Sequence, residues 1–356
     1  MSDSKKNWIA MSIEEIVHPE DARALKVLMN VPALPKVMEK VFEYGYDEIS
    51  WMENLSTNLR LSESQMPEIY NHLPPICKRL GIPVPELYLQ MSPTVNAWTS
   101  GHHKVYIVLT LGLIKKIHGE ELDAVLAHEC GHILCQHVLY QTLANAIFSF
   151  GDSNSDSIVG VLGNVAMKPV RQALVSWSRA SELTADRVAC VLTSAETLSR
   201  ALARIDMIPT YIVDNMDVKE WACQGKDFEA MKKGTAWNKI VHWLSNSDAY
   251  HPFSPIRAYE AMTWEKTDTC KRLKDNPSCL NLEIPESFIF SFTGNMLKKT
   301  SETAKDLGEK AQKAIPEMTT GLQRMKKEAT KTLDSLAVDK SFGNVLSKFG
   351  INKNNK

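Results

Sequence analysis

A chain of 356 residues has the length for one large domain or two smaller ones around a buried core. Its composition, 44% hydrophobic and 23% charged with a net charge of −1, is that of an ordinary globular protein and excludes the lopsided charge that nucleic-acid or polyanion partners call for. The start of the chain lacks an apolar stretch followed by a small-residue cleavage site, no apolar run approaches the about 20 residues that cross a bilayer, and seven cysteines (Cys77, Cys130, Cys135, Cys190, Cys223, Cys270, Cys279) form no CxxC pair. The expected compartment is the cytoplasm, with the cysteines as buried free thiols. Residues from about Pro19 to Leu80 alternate helical patterns with breakers such as Val31-Pro32 and Leu73-Pro74-Pro75 and read as a helical lead-in. The convincing strands follow: Glu86–Met91, Asn96–Ser100, a turn at Gly101-His102-His103, and Lys104–Leu109 alternating like a hairpin partner. From Thr110 the reading is almost wholly helical, with an unbroken helical run from Glu120 to Tyr140 and a turn-rich loop at Gly151–Ser157. Asn276-Pro277 and Ile284-Pro285 mark the end of the compact part.

The expected fold class is therefore α+β, mainly helical, with a small antiparallel β-sheet. The expected organisation is a lead-in at 1–82 packed on a catalytic domain at 83–285, then a basic, partly helical tail at 286–356. From Lys298 onward 13 Lys and Arg face 7 Asp and Glu, a net of +6, which leaves the rest of the chain at −7. Phe288, Phe290 and Phe292 precede this basic stretch. It suits peripheral contact with an anionic membrane surface such as the inner membrane, a partner, a lid over a cleft, or a solvated appendage.

His128-Glu129-Cys130-Gly131-His132 fits the H-E-x-x-H pattern. Residues four apart on a helix lie about 40° apart, so both imidazoles leave one face and can share a tetrahedral cation. Glu129 sits beside them, close enough to take a proton from a cation-bound water but angled away from ligation. In a chain with ten histidines such a pattern arises by chance on the order of a few per cent of the time, so the surrounding sequence has to carry weight. It does: the motif lies in a helix apolar around most of its circumference, where polar side chains need partners. A pair of satisfied core histidines is the bland alternative.

A third protein ligand is required. The extension found in metzincins would need glycine and histidine where this chain has Cys135 and Val138. On a continuous helix His137 lies about 160° from the midpoint of the two histidines and packs or hydrogen-bonds elsewhere. Downstream, Glu182 and Asp186 stand four apart on a helical segment, with Arg179 on the same face. One carboxylate can bind the cation while the other orients a ligand histidine; alone, the trio reads more often as a surface ion-pair cluster, and the upstream motif that lacks a ligand reverses the preference.

The pairing of His128-Glu129-Cys130-Gly131-His132 with Ser178-Arg179-Ala180-Ser181-Glu182-Leu183-Thr184-Ala185-Asp186 resembles the gluzincin family of the CAAX prenyl proteases and the HtpX heat-shock protease. Asn96-Ala97-Trp98 resembles its Asn-Ala-Phe edge strand, Leu109–Leu113 its strand-to-helix corner, and His251-Pro252 with Arg257 its late His-Pro…Arg motif. The likeness runs from about Glu86 to Ala261. It implies a zincin-like metallopeptidase domain whose edge strand lines the active-site cleft, with one Zn2+ held by His128, His132 and Glu182 and with Glu129 as general base. It further implies that Asp186, with Arg179 nearby, orients a ligand histidine, that His251 stabilises the oxyanion, and that Asn96, Ala97, Trp98 and Arg257 meet a protein or peptide substrate. Membrane-spanning members carry transmembrane helices and this sequence shows none, which favours a soluble branch; Trp98 stands where Phe is usual. The expected function is a zinc metalloendopeptidase. The rivals are a catalytically silent zinc-binding or chaperone-like module, against which the intact Glu129 argues, and a zinc hydrolase of non-peptide amides.

Overall fold

The structure, a computed structural model, describes residues 12–43, 45–101, 104–151, 167–231 and 252–275. His102, His103, His251, the turn-rich loop after Gly151 and the tail from 286 lie outside the described residues.

The lead-in supplies α1 (Pro19–Met29), α2 (Leu34–Glu43), α3 (Tyr46–Thr57), β1 (Leu59–Leu61), α4 (Pro67–Tyr70) and α5 (Leu73–Leu80). The body continues with β2 (Glu86–Gln90), β3 (Ala97–Ser100), β4 (Tyr106–Thr110), α6 (Leu111–Ile114), α7 (Glu120–Leu134), α8 (Val138–Gly151) and α9 (Met167–Leu192). It closes with α10 (Ala195–Ile205), α11 (Thr210–Asn215), α12 (Val218–Ala230), α13 (Ser254–Glu265) and α14 (Asp268–Asp275). No helix among the described residues is long and apolar enough to cross a membrane.

The sheet is mixed, not antiparallel as the sequence suggested. Its order is β1-β2-β4-β3: β2 runs parallel to β4, while β1 and β3 run antiparallel to their neighbours. After β2 the chain passes to the far edge, lays down β3, and turns back so that β4 fills the gap. Local pattern reveals the β3–β4 hairpin but not the pairing of strands that are not consecutive. β1, three residues long, gives too little alternation to be read and was absorbed into the lead-in. All five residues of β4 are buried, so the strand expected to alternate is an interior one covered on both faces.

Register decides which side chains meet which layer. Trp98 pairs with Val108 and Ser100 with Tyr106, on the face where Tyr88, Tyr106 and Val108 pack with Trp51 of α3. Ala97 and Thr99 pair with Leu109 and Ile107 on the opposite face, which α7 covers. The corner after β4 is set by Thr110, whose hydroxyl accepts from Asn96 N and Leu113 N and reaches the carbonyls of Thr94 and Asn96. Gly112 permits the approach: a Cβ there would stand 2.2 Å from the carbonyl oxygen of Thr94.

The lead-in is pinned to the body by polar contacts. Trp51 donates to Glu86 at 2.9 Å, Arg187 on α9 donates to the carbonyls of Ile16 and Val17, and Arg272 donates to Glu15. His18 caps α1 by accepting from Glu20 N, with Pro19 preset in the first turn and the acidic Glu20 and Asp21 directly after it.

The helical run expected from Glu120 to Tyr140 is broken. α7 ends at Leu134, and Gln136 takes a left-handed φ of 58°. The amides of Gln136 and His137 bond back to the carbonyls of Ile133 and His132, the paired bonds of a Schellman stop. The stop was hidden because glutamine, not glycine, occupies the left-handed position.

Candidate metal centre

α7 and α9 carry the centre. They pack closely at Gly131, where an added Cβ would stand 3.1 Å from Ala185 Cα, so the two helices approach without a side chain between them. On α7 the i, i+4 spacing turns His128 and His132 to the same side; on α9 Glu182 faces them. All three are buried. His128 Nε2 and His132 Nε2 lie 3.2 Å apart, and the Glu182 carboxylate reaches them at 3.4 and 3.3 Å. A tetrahedron with bonds near 2.05 Å has edges of about 3.3 Å. The two imidazole nitrogens thus stand one tetrahedral edge apart and Glu182 turns one oxygen to each, so the three side chains can share one cation.

Around the triangle, Asp186 Oδ1 lies 2.9 Å from His128 Nδ1. Arg257 of α13 donates to Asp186 from Nε at 2.8 Å and from Nη2 at 2.7 Å, and its Nη1 lies 3.1 Å from Glu182. Burial pushes the Asp186 carboxyl up, but the charge and hydrogen bonds of Arg257 and His128 outweigh it and hold the carboxyl below its ordinary value. Burial likewise opposes the Arg257 charge, yet Asp186 and Glu182 keep it firmly protonated. Arg257, expected at the substrate, thus engages the carboxylates behind the triangle. This guanidinium pairs with Glu182 and Asp186, and Arg179 is half-buried on α9.

Glu129, next to His128 and also buried, is gripped from the sheet: Thr99 Oγ1 donates to Glu129 Oε2 at 2.6 Å. The sequence reading stopped at Asn96, Ala97 and Trp98 and missed Thr99. The available signal was its parity, a polar residue on the strand face that turns toward the metal helix. His137 was also missed: the Schellman stop brings its Nδ1 to 2.9 Å from His132 Nδ1. Cys130 turns away from the triangle to Cys77, with the sulfurs 3.9 Å apart. The described cysteines are all free thiols; they are buried except Cys223, which is exposed.

A cavity of about 710 Å3 opens onto the triangle. Asn96–Ser100 line it together with His128, Glu129, His132 and Glu182, and Leu198, Ala201, Leu202 and Ile205 of α10 supply apolar lining.

A cation site of three side-chain donors with an acidic residue alongside defines a class, the metal-dependent hydrolases. Comparison with known proteins narrows it. Residues 63–265 match Peptidase family M48, and the chain belongs to that family. It is 28% identical over 268 residues to the plastoglobule-localized metallopeptidase 48, chloroplastic, of Arabidopsis thaliana, covering 74% of this chain and 76% of that one. It is 30% identical over 171 residues to a protease HtpX homolog of Nostoc sp., covering 41% of this chain and 59% of the relative's length. The crystal structure of S. mikatae Ste24p is similar over 69% of this chain and 65% of that one, at 19% identity and a TM-score of 0.35.

Proposed function

We propose that this protein is a zinc-dependent endopeptidase in which His128, His132 and Glu182 hold the metal and Glu129 is the general base. The observation that carries the reading is the convergence of His128 Nε2, His132 Nε2 and the two Glu182 oxygens, at 3.2 to 3.4 Å, beside a buried glutamate whose carboxylate accepts from Thr99 of the sheet edge. Zinc held there would supply Lewis acidity toward a scissile carbonyl and a water. Glu129 is the residue that would accept a proton from the attacking water and return it to the departing amine. Thr99 donates to Glu129 Oε2 and holds the carboxylate in place for that work. Asp186 holds the Nδ1 hydrogen of His128 and so keeps Nε2 free to ligate, while Arg257 pairs with both carboxylates. The resemblance adds His251 as the oxyanion partner.

β3 ends the sheet order, and its backbone edge away from β4 suits an extended peptide added as a further strand. The apolar lining from α10 suits an apolar substrate side chain. This makes β3 the substrate strand of a zincin-like cleft.

The test is Glu129→Gln. Zinc content stays at one per chain while peptide cleavage falls by at least about a thousandfold, as expected when a general base is lost. Cleavage at the wild-type rate sinks the mechanism. One zinc per chain with no cleavage in the wild type, against a peptide library, favours a silent metal-binding module instead.

A further inference from the structure

The metal helix leads beyond its ligands to the first helix of the chain. His137 Nδ1 stands 2.9 Å from His132 Nδ1, and His137 Nε2 stands 3.1 Å from Asp21 Oδ2 on α1. The same oxygen of Asp21 accepts a 2.6 Å bond from Thr184 Oγ1, and Thr184 Oγ1 accepts from His18 N at 2.9 Å. His132, His137, Asp21 and Thr184 are all buried, and the Trp177 ring packs edge-on against His137 at 5.6 Å.

The hydrogens in this chain order themselves. A His132 that ligates through Nε2 carries its hydrogen on Nδ1 and donates from there. His137 then accepts at Nδ1, keeps its own hydrogen on Nε2, and donates to Asp21. Burial raises the Asp21 carboxyl, but His137 and Thr184 together outweigh it and hold the group below its ordinary value, so Asp21 is a carboxylate acceptor. Gln141 Nε2 also lies 3.0 Å from His132 Nδ1, while Gln141 Oε1 is buried without a hydrogen-bond partner. Turning that amide over makes Oε1 a second acceptor for the same hydrogen. Both neighbours of His132 Nδ1 are thus arranged to receive a hydrogen.

We infer that Asp21 and His137 are positioning residues for the metal, a relay that fixes the tautomer and ring orientation of His132 from a helix outside the family-matched residues 63–265. The inference rests on the reading of His128, His132 and Glu182 as metal ligands. It makes α1 a working part of the centre and not only a clasp on the body.

The full chain is stripped of metal and titrated with Zn2+ against a chromophoric chelator, and separately with Co2+ while its visible bands are followed. The set is wild type, Asp21→Asn, His137→Asn, the double variant, and Arg187→Met, which removes the bonds to the Ile16 and Val17 carbonyls but touches no member of the relay. Wild type takes up one Zn2+. Each single relay variant binds it about 10- to 100-fold more weakly, and the cobalt bands shift. The double variant loses no more than about twofold beyond the worse single, because both cut one relay. Arg187→Met lowers the melting temperature and keeps the affinity within about twofold. Undiminished affinity in Asp21→Asn and His137→Asn overturns the relay and leaves the ligand reading standing. Affinity that falls in step with melting temperature across all variants, Arg187→Met included, also overturns it. A wild type that takes up no Zn2+ overturns the ligand reading itself.

Discussion

Thr99 shows how much one hydroxyl contributes when it meets a buried carboxylate. A hydrogen bond to a charged group contributes about 1.5–3 kcal/mol. Thr99→Val is therefore expected to lower kcat by about tenfold or more with metal content unchanged, while Thr99→Ser retains most of the rate; steady-state kinetics beside metal analysis check both. Asp21 makes a separate, pH-dependent contribution. Its folded carboxyl titrates below the ordinary value of 3.8, so the unfolded chain binds the proton more readily. The stabilisation is then fully present above that ordinary value and is lost as pH falls through the lowered one. Acid unfolding of chelator-treated protein is expected to show a shallower acid limb for Asp21→Asn than for wild type. These residues also mark what the sequence made legible. Periodicity alone turned His128 toward His132 and Glu182 toward Asp186, because four residues on a helix nearly close a turn. Thr99 and Asp21 carry no such signature, since their partners Glu129 and His137 lie 30 and 116 residues away in the chain and only tertiary packing brings them together.

At the scale of elements, the distance between α7 and α9 sets the site. Gly131 has Ala185 Cα and Val188 Cβ within 3.1 Å of where a Cβ would stand. Gly131→Leu is expected to wedge the helices apart, destabilise the fold by about 1–3 kcal/mol, and abolish tight zinc binding; denaturant titration and metal analysis read the two effects. The apolar wall of α10 is a second element with a measurable role. Leu202→Ala is expected to shift cleavage toward bulkier apolar side chains by about tenfold, read from paired kcat/KM values. Helix α7 itself was read correctly at its start and wrongly at its end. A left-handed glutamine is a stop that no propensity scale marks, and the same stop carries His137 back beneath His132. The parallel pairing of β2 with β4 was hidden for a related reason, because a strand pattern reports faces and not neighbours.

At the scale of the whole molecule, the lead-in and the body share hydrogen bonds at β2, α9 and α14. A cation held by α7 and α9 adds stability by mass action, about 2.7 kcal/mol when the free ion is at 100 times its dissociation constant. Calorimetry is expected to show a melting temperature that falls on chelation, and to the same extent in Glu129→Gln, whose ligands are intact. An unchanged melting temperature on chelation would mean that the ion does not bridge the two helices. The Schellman stop after α7 has a further consequence, for the order in which the centre assembles. His128, His132 and His137 lie within ten residues and come together as soon as one helix and its terminal turn form, on the timescale of local structure. Glu182 arrives only when a helix some fifty residues later docks. The centre is thus half built early and completed late, and with the proposed ligands uptake of an ion would report that the long closure has been made.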